Sequence, residues 1–169
     1  DEGHEAIAEA ARRACAGQTG TERLLVLLER TGACDTGFWE LAAAQGWAGL
    51  AIAEEHGGSG LGLVEMGIVA QASGTATAGA PFLTPGYGAA CALAACDDAA
   101  LQAHWLPRLA SGGATAAIAF AEGTEALPAN PAVRFAGGQI SGTKPGVAAG
   151  LLADVALVAT GREVVGSEV

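Results

Sequence analysis

The stretch from Phe38 to Gly62, FWELAAAQGWAGLAIAEEHGGSGLG, decides the reading of this chain. Phe38, Leu41 and Ala42 recur at helical spacing, and Asp35 stands where an N-cap is expected. Gly46 stands just past the end of that helix, where a left-handed residue closes the last turn. A short apolar piece follows. Then come two acids, Glu54 and Glu55, and a loop punctuated by glycines at 57, 58, 60 and 62. The order is helix, turn, glycine-rich loop.

Upstream, residues 4–16 read as a helix of modest amphipathicity. Thr19 and Glu22 have the spacing of a capping box, with Leu24, Leu25, Leu27 and Leu28 at helical spacing behind it and Gly32 as a stop. Downstream, residues 63–73 read as a helix, Gly79 to Pro85 as a break, and 86–96 as a small-residue helix suited to tight packing. Asp97 or Asp98 caps another helix, running through Leu101, Trp105 and Leu109 to Ser111.

The character changes near Gly112–Ala114. Thr115 to Ala121 is a short apolar run without a clear helical stripe, and Pro128 and Pro131 mark a loop. Val133–Phe135, Gly137-Gly138 and Gln139–Ser141 read as a hairpin, and Ala153 to Thr160 as a buried strand. Helices come first and strands second, which points to α+β or to separate domains rather than a doubly wound sheet. The strand section is too short to close a barrel or sandwich. Strands from elsewhere complete this sheet, or the chain is a fragment.

At 169 residues, a folded domain buries roughly 70% of its unfolded surface, so a core is within reach. Half the residues are hydrophobic but few are aromatic, and Lys144 is the sole lysine. A net charge of −10 argues against nucleic acid, which needs clustered Lys and Arg, and against an anionic membrane surface. The apolar run Val147–Thr160 is too short and too polar to cross a bilayer. The chain opens Asp-Glu-Gly without a basic then apolar stretch, so no secretory signal is expected and the cytoplasm is the default. Four cysteines at 15, 34, 91 and 96 form no C-x-x-C pair, and His4, His56 and His104 are dispersed. Buried free thiols are expected rather than a zinc site.

Several motifs yield to plainer readings. Gly58, Gly60 and Gly62 lack the spacing and the βαβ setting of a dinucleotide fingerprint. Gly142-Thr143-Lys144 lacks the glycine spacing of a phosphate loop. Ser141 and Lys144 match a serine β-lactamase spacing without its companion motifs. Glu54 and Glu55 read as a solvated loop edge, because adjacent side chains diverge. His104 beside Trp105 reads as a surface or boundary residue.

The ordered combination of the 38–62 stretch with ISGTKPGVAAGLLADVALVATG at 140–161 resembles the acyl-CoA dehydrogenase family, from about Phe38 to Gly161. Gly46-Trp47-Ala48-Gly49-Leu50, Glu54 through Gly58 and Gly60-Leu61-Gly62 resemble its glycine punctuation after a paired acid. A helix bearing Val64 and Glu65 and a loop with Pro81 and Pro85 follow. Trp105 to Gly112 resembles the segment that closes the helical domain, and Ile118 to Glu122 the first strand of the β domain. Gly142, Lys144, Val147, Gly150, Ala153 and Asp154 match a later strand-turn-strand pattern.

The resemblance implies an α+β chain: an all-α domain over 1–113, part of a mainly antiparallel β domain over 114–169, and no C-terminal helical bundle in this sequence. It implies FAD-linked α,β-desaturation of an acyl-CoA thioester in fatty acid or steroid degradation. Electrons would pass to an electron-transfer flavoprotein, and the subunits would form a homo- or hetero-oligomer with acyl-CoA dehydrogenase-like chains. The family's base lies in the bundle, so no catalytic residue is expected here. Phe120, Ala121, Glu122, Gly146, Val147 and Ala148 are the cofactor-binding candidates that the resemblance suggests.

The chain departs from the family pattern. Ala121-Glu122-Gly123 replaces Thr-Glu-Pro and the Gly-Ser-Asp turn after it, and Gly146-Val147-Ala148 replaces Trp-Ile-Thr. Two hydroxyls and an aromatic wall are absent, leaving backbone contacts from Phe120, Ala121, Val147 and Ala148. Two readings stay open: a catalytic acyl-CoA dehydrogenase, or a non-catalytic subunit that completes another chain's site. An isolated helical interaction domain is a third.

Overall fold

The computed structural model describes residues 2–17, 20–29, 34–77, 86–161 and 163–168, with backbone alone for 163–168 and Arg23. Among these it holds six α-helices, two short 3-10 turns and five strands.

Helix α1 (Glu2–Ala16) carries Glu2 and Glu5 in its first turn and Arg13 in its last, as the helix dipole favours. Ala11 and Cys15 bury against α4 (Leu63–Thr75) through Met66, Val69 and Ala72. Glu65 closes the start of α4 by accepting the Gly62 N–H at 2.8 Å, and also takes a 2.8 Å contact from His4 of α1. Helix α2 (Thr21–Leu28) differs from the sequence reading at both ends. Gly20, in extended conformation, is its N-cap without a side-chain bond, and Glu29 closes it through its N–H to the Leu25 carbonyl. The helix therefore ends before Gly32. Thr19 and Gly32 lie outside the described residues, as does the expected break at Gly79–Pro85 except for its surroundings.

Helix α3 (Thr36–Ala44) starts where Asp35 accepts the Phe38 N–H at 3.0 Å, and Gly46 follows it with φ +72°. Phe38 and Ala42 are buried, with Trp47 tilted against Phe38 at 6.2 Å between ring centres. The 3-10 turns Trp47–Gly49 and Glu54–His56 follow. Helix α5 (Tyr87–Ala94) buries Tyr87, Ala89, Ala90 and Leu93. Helix α6 (Ala99–Ala110) is capped by Asp98, whose carboxylate accepts the Ala100 and Leu101 N–H groups at 2.9 and 3.0 Å.

Strand β1 (Ala116–Ala119) pairs in parallel with β4 (Val155–Thr160), Ala116 opposite Val155 and Ala119 opposite Val158. Strand β5 (Glu163–Glu168) runs antiparallel to β4. Strands β2 (Arg134–Ala136) and β3 (Gln139–Ser141) form a separate antiparallel hairpin. Its two-residue turn, Gly137-Gly138, has φ of +59° and +79°, which glycine adopts without strain. The expected mainly antiparallel character thus holds for two pairings, while β1 and β4 run parallel. Residues 120–154 supply the long crossover that a parallel pair needs.

Strand alternation divides the sheet's two faces. Ala116, Val155 and Leu157 join Leu93, Leu106 and Leu109 of α5 and α6 in one core. Ala119 and Val158 turn to the other face and pack with Val133, Ile140 and Val147. That second face positions the segments described next.

All four cysteines are free, but only Cys15 is buried; Cys34 and Cys96 are half-buried and Cys91 is exposed. Cys91 misses the face of α5 set by Tyr87, Ala90 and Leu93, which corrects the expectation of buried thiols. Among the described residues no helix is long and apolar enough to cross a membrane, and no group of His, Cys, Asp and Glu could hold a metal ion.

Candidate functional site

The chain leaves β1 at Phe120 and turns tightly after Glu122. The Glu122 N–H donates to the Glu125 carbonyl at 3.0 Å and the Glu125 N–H returns to the Glu122 carbonyl at 2.9 Å. Gly123, at φ +56°, makes that turn possible. On the other side, the chain leaves β3 through Gly142, where any Cβ would come within 2.8 Å of the Val133 side chain. This close passage delivers Lys144 to the end of β1.

Lys144 Nζ lies 2.7 Å from Glu122 Oε1 and donates to the Phe120 carbonyl at 3.1 Å. Both side chains are largely withdrawn from water, with 6% of Lys144 and 14% of Glu122 exposed. The Glu122 carboxylate also accepts the Ala132 N–H at 2.5 Å and the Val133 N–H at 3.1 Å. Lys144, then the Ala132 N–H, hold its pKa down to about 2. Glu122 is therefore ionised throughout the neutral range, with both oxygens engaged. Such a carboxylate staples backbone; it does not exchange protons near neutrality.

This tie brings the six sequence-derived candidates into two adjacent segments. Phe120, Ala121 and Glu122 are half-buried on one side. On the other, Gly146 is exposed with φ +64°, Val147 is half-buried in the core of Ala119 and Val158, and Ala148 is exposed. The Gly150 N–H closes the turn by donating to the Val147 carbonyl at 3.2 Å. Among the described residues, no acceptor meets the amide N–H groups of Ala121, Val147 or Ala148.

Lys144 itself was not among the candidates. Its signal was its solitude, as the single lysine in the chain, lying just upstream of Gly146. Two hollows among the described residues lie elsewhere. One of about 490 Å³ is lined by Asn130, Arg134, Phe135 and Thr160, and one of about 210 Å³ by Cys34, Trp39, Leu152 and Asp154. Glu54 and Glu55 are exposed, as a solvated loop edge should be, and His104 is exposed beside Arg108 on α6.

Residues 1–113 match the family described as acyl-CoA dehydrogenase, N-terminal domain. The chain belongs to the acyl-CoA dehydrogenase family. It is 38% identical over 128 residues to "Acyl-CoA dehydrogenase FadE28" of Mycobacterium tuberculosis, an alignment that takes in 75% of this chain and 37% of that protein. Among solved structures, a variant of the Tcur3481-Tcur3483 steroid ACAD superposes with a TM-score of 0.84 at 27% identity, over 94% of this chain and 45% of that one. The ChsE4-ChsE5 complex from Mycobacterium tuberculosis superposes with a TM-score of 0.86 at 24% identity, over 99% and 47%. A glutaryl-CoA dehydrogenase from Mycobacterium smegmatis in complex with FADH2 gives 0.78 at 21%, over 100% and 45%. The last two likenesses speak to fold alone. The chain spans less than half the length of these relatives.

Proposed function

We propose that this chain forms one wall of a flavin site in an acyl-CoA dehydrogenase that desaturates the Cα–Cβ bond of an acyl-CoA thioester. The observation that carries the reading is the meeting of residues 120–122 and 146–148 beneath Lys144. In this reading 1–113 is the helical domain and 114–169 the start of the β domain, in a cytoplasmic protein.

The residues fit a flavin through main chain rather than side chain. The amide groups of Ala121, Val147 and Ala148 are open to an acceptor, and the polar edge of an isoalloxazine is rich in acceptors. Ala121 and Ala148 bring no hydroxyl and Gly146 no aromatic face. Bound FAD would supply the two-electron acceptor for the β-hydride. The chain's part is to hold the flat ring against a backbone wall, since base and hydride acceptor must bracket one bond.

The α-proton needs a base with a free oxygen. Glu122 has none, because Lys144 and two amides hold it ionised. Glu122 is thus no base under either reading; the altered side chains at Ala121 and Gly146–Ala148 are what favour the second, a subunit that completes the site of an acyl-CoA dehydrogenase-like partner. Two of the structural neighbours, Tcur3481-Tcur3483 and ChsE4-ChsE5, bear paired names, and the second is described as a complex. A steroid or fatty acyl-CoA and an electron-transfer flavoprotein go with either reading.

The test is FAD titration followed by visible absorbance, with the chain alone and with an acyl-CoA dehydrogenase-like partner. Turnover is then measured with acyl-CoA and an artificial electron acceptor. Flavin uptake only in the mixture supports the completing subunit. Flavin uptake by this chain alone supports the catalytic reading. No uptake in either case overturns both.

A further inference from the structure

We propose that Lys144 is a positioning residue: by bonding the Phe120 carbonyl and the Glu122 carboxylate together, it sets the spacing between the 120–122 and 146–148 segments. The proposal rests on the reading above, in which those segments face the flavin, and assigns the residue that fixes their geometry.

The argument starts from how the two segments are held. Residues 144–148 belong to no strand, so no ladder fixes them to the sheet. Two ties remain. One is apolar, the packing of Val147 against Ala119 and Val158. It resists separation but has no direction. The other is polar and directional, the pair of bonds from Lys144 Nζ at 2.7 and 3.1 Å. Gly146, at φ +64°, lies between these ties, so without the Lys144 bonds the segment can swing about it.

Glu122 makes the polar tie rigid. Its two oxygens receive Lys144, Ala132 and Val133, so the ammonium is anchored to the loop that precedes β2 as well as to the end of β1. Three separate stretches of chain therefore meet at one ion pair. A withdrawn ammonium needs these partners, since burying it unpaired is costly. With the Thr-Glu-Pro hydroxyl and the aromatic of Trp-Ile-Thr absent here, main-chain amides must do the binding, and amides bind only where the backbone is placed correctly.

The experiment compares Lys144→Met, Glu122→Gln and Ile140→Ala in the full chain. Hydrogen–deuterium exchange is read first without FAD. The Lys144→Met chain should raise exchange of the 121–123 and 146–148 amides together by about tenfold, with α1 and α4 unchanged. Unchanged exchange in those segments overturns the proposal.

FAD affinity and the flavin absorption spectrum are read next, with partner present. The Lys144→Met chain should bind about tenfold more weakly or worse, with a shifted visible spectrum, because a charge-assisted bond has been lost. Ile140→Ala loosens the same core from β3, away from the ion pair, and should lower melting temperature while leaving the spectrum as in the wild type. An equal spectral shift in Ile140→Ala reduces Lys144 to a purely structural role and overturns the proposal. Glu122→Gln, a milder change, should fall between wild type and Lys144→Met in both readouts; wild-type behaviour in both overturns it. If the wild type takes up no FAD at all, the flavin reading fails while the exchange data still decide whether Lys144 sets the spacing.

Discussion

The phenol of Tyr87 donates to the carbonyl of Trp47 at 3.0 Å, tying the start of α5 to a turn 40 residues earlier in the chain. Burial pushes the phenol far above its ordinary pKa, so it remains a donor across the working pH range. Its partner sits in the core that unites Ala11 of α1, Phe38 of α3 and Val69 of α4. This bond therefore adds a directional tie between α5 and the core of α1, α3 and α4. Tyr87→Phe keeps the ring and removes the donor. It should cost about 1 kcal/mol, because the carbonyl keeps only the longer 3.5 Å bond from the Leu50 N–H. Urea unfolding checks this: the midpoint should fall with the slope unchanged. An unchanged midpoint would mean that the carbonyl is satisfied without Tyr87.

The glycines of the 57–62 loop are not equivalent. A Cβ on Gly58 would lie 2.0 Å from the Ile52 carbonyl oxygen and 2.6 Å from that of Gly49. The loop folds back here, with the Gly60 N–H on the Ile52 carbonyl and the Leu61 N–H on the Leu50 carbonyl, both at 2.8 Å. Gly57 has φ +80° but open space around it. Gly58→Ala should thus cost about 3 kcal/mol, since backbone must move. Gly57→Ala should cost about 1 kcal/mol, for its left-handed backbone alone. Thermal melts of the two variants decide the order, and a larger loss at Gly57 would refute the close-approach argument.

Local chemistry was legible in the sequence. Asp35 and the Asp97-Asp98 pair, of which Asp98 is the cap, announce their helices because a short carboxylate satisfies free amides next to it. Gly46 and Gly137-Gly138 mark turns because only glycine enters positive φ without strain. The β-branched run at Val155–Thr160 fits a strand buried on both faces. What escaped the sequence depends on distance along the chain. Gly58 was read as punctuation, and its closeness to Ile52 appears only once the loop folds back. Cys91 was placed in the core by composition, but the helix face set by Tyr87 and Leu93 turns it outward. Lys144 and Glu122 are 22 residues apart, with a hairpin between them, and no spacing rule joins such a pair.

The parallel register of β1 and β4 starts at a reciprocal contact between Thr115 and Asp154. The Thr115 N–H donates to Asp154 Oδ2 at 2.7 Å, and the Asp154 N–H donates to the Thr115 carbonyl at 2.9 Å. Parallel strands lack a tight turn to set their register, so a side-chain bond at the first rung substitutes for one. Asp154→Ala should cost about 1 kcal/mol, while Asp154→Asn should cost less because an amide oxygen can still accept. Exchange of the β1 amides checks the cause: they should open faster in Asp154→Ala, with α1 and α4 unchanged. Equal loss in both variants would place the effect in charge rather than in the bond.

Acid stability should report the ion pair at the end of β1. Glu122 carries a folded-state pKa of about 2, held there first by Lys144 and then by the Ala132 N–H, against an ordinary value of 4.5. A carboxyl depressed on folding contributes stability that is complete above about pH 4.5 and is lost as pH falls towards 2. Below that range both states are protonated and the contribution is gone. Glu122→Gln removes the titration, so its stability should fall less steeply than that of the wild type between pH 4.5 and 2. Some acid sensitivity should survive in the variant. Glu65 is also lowered, first by its own amide N–H and then by His4, and it responds in the same direction. Denaturation midpoints measured every half unit across that range test the expectation. Parallel curves for wild type and variant would mean that Lys144 and the two amides do not hold Glu122 ionised, and the tie between the two segments would lose its charge.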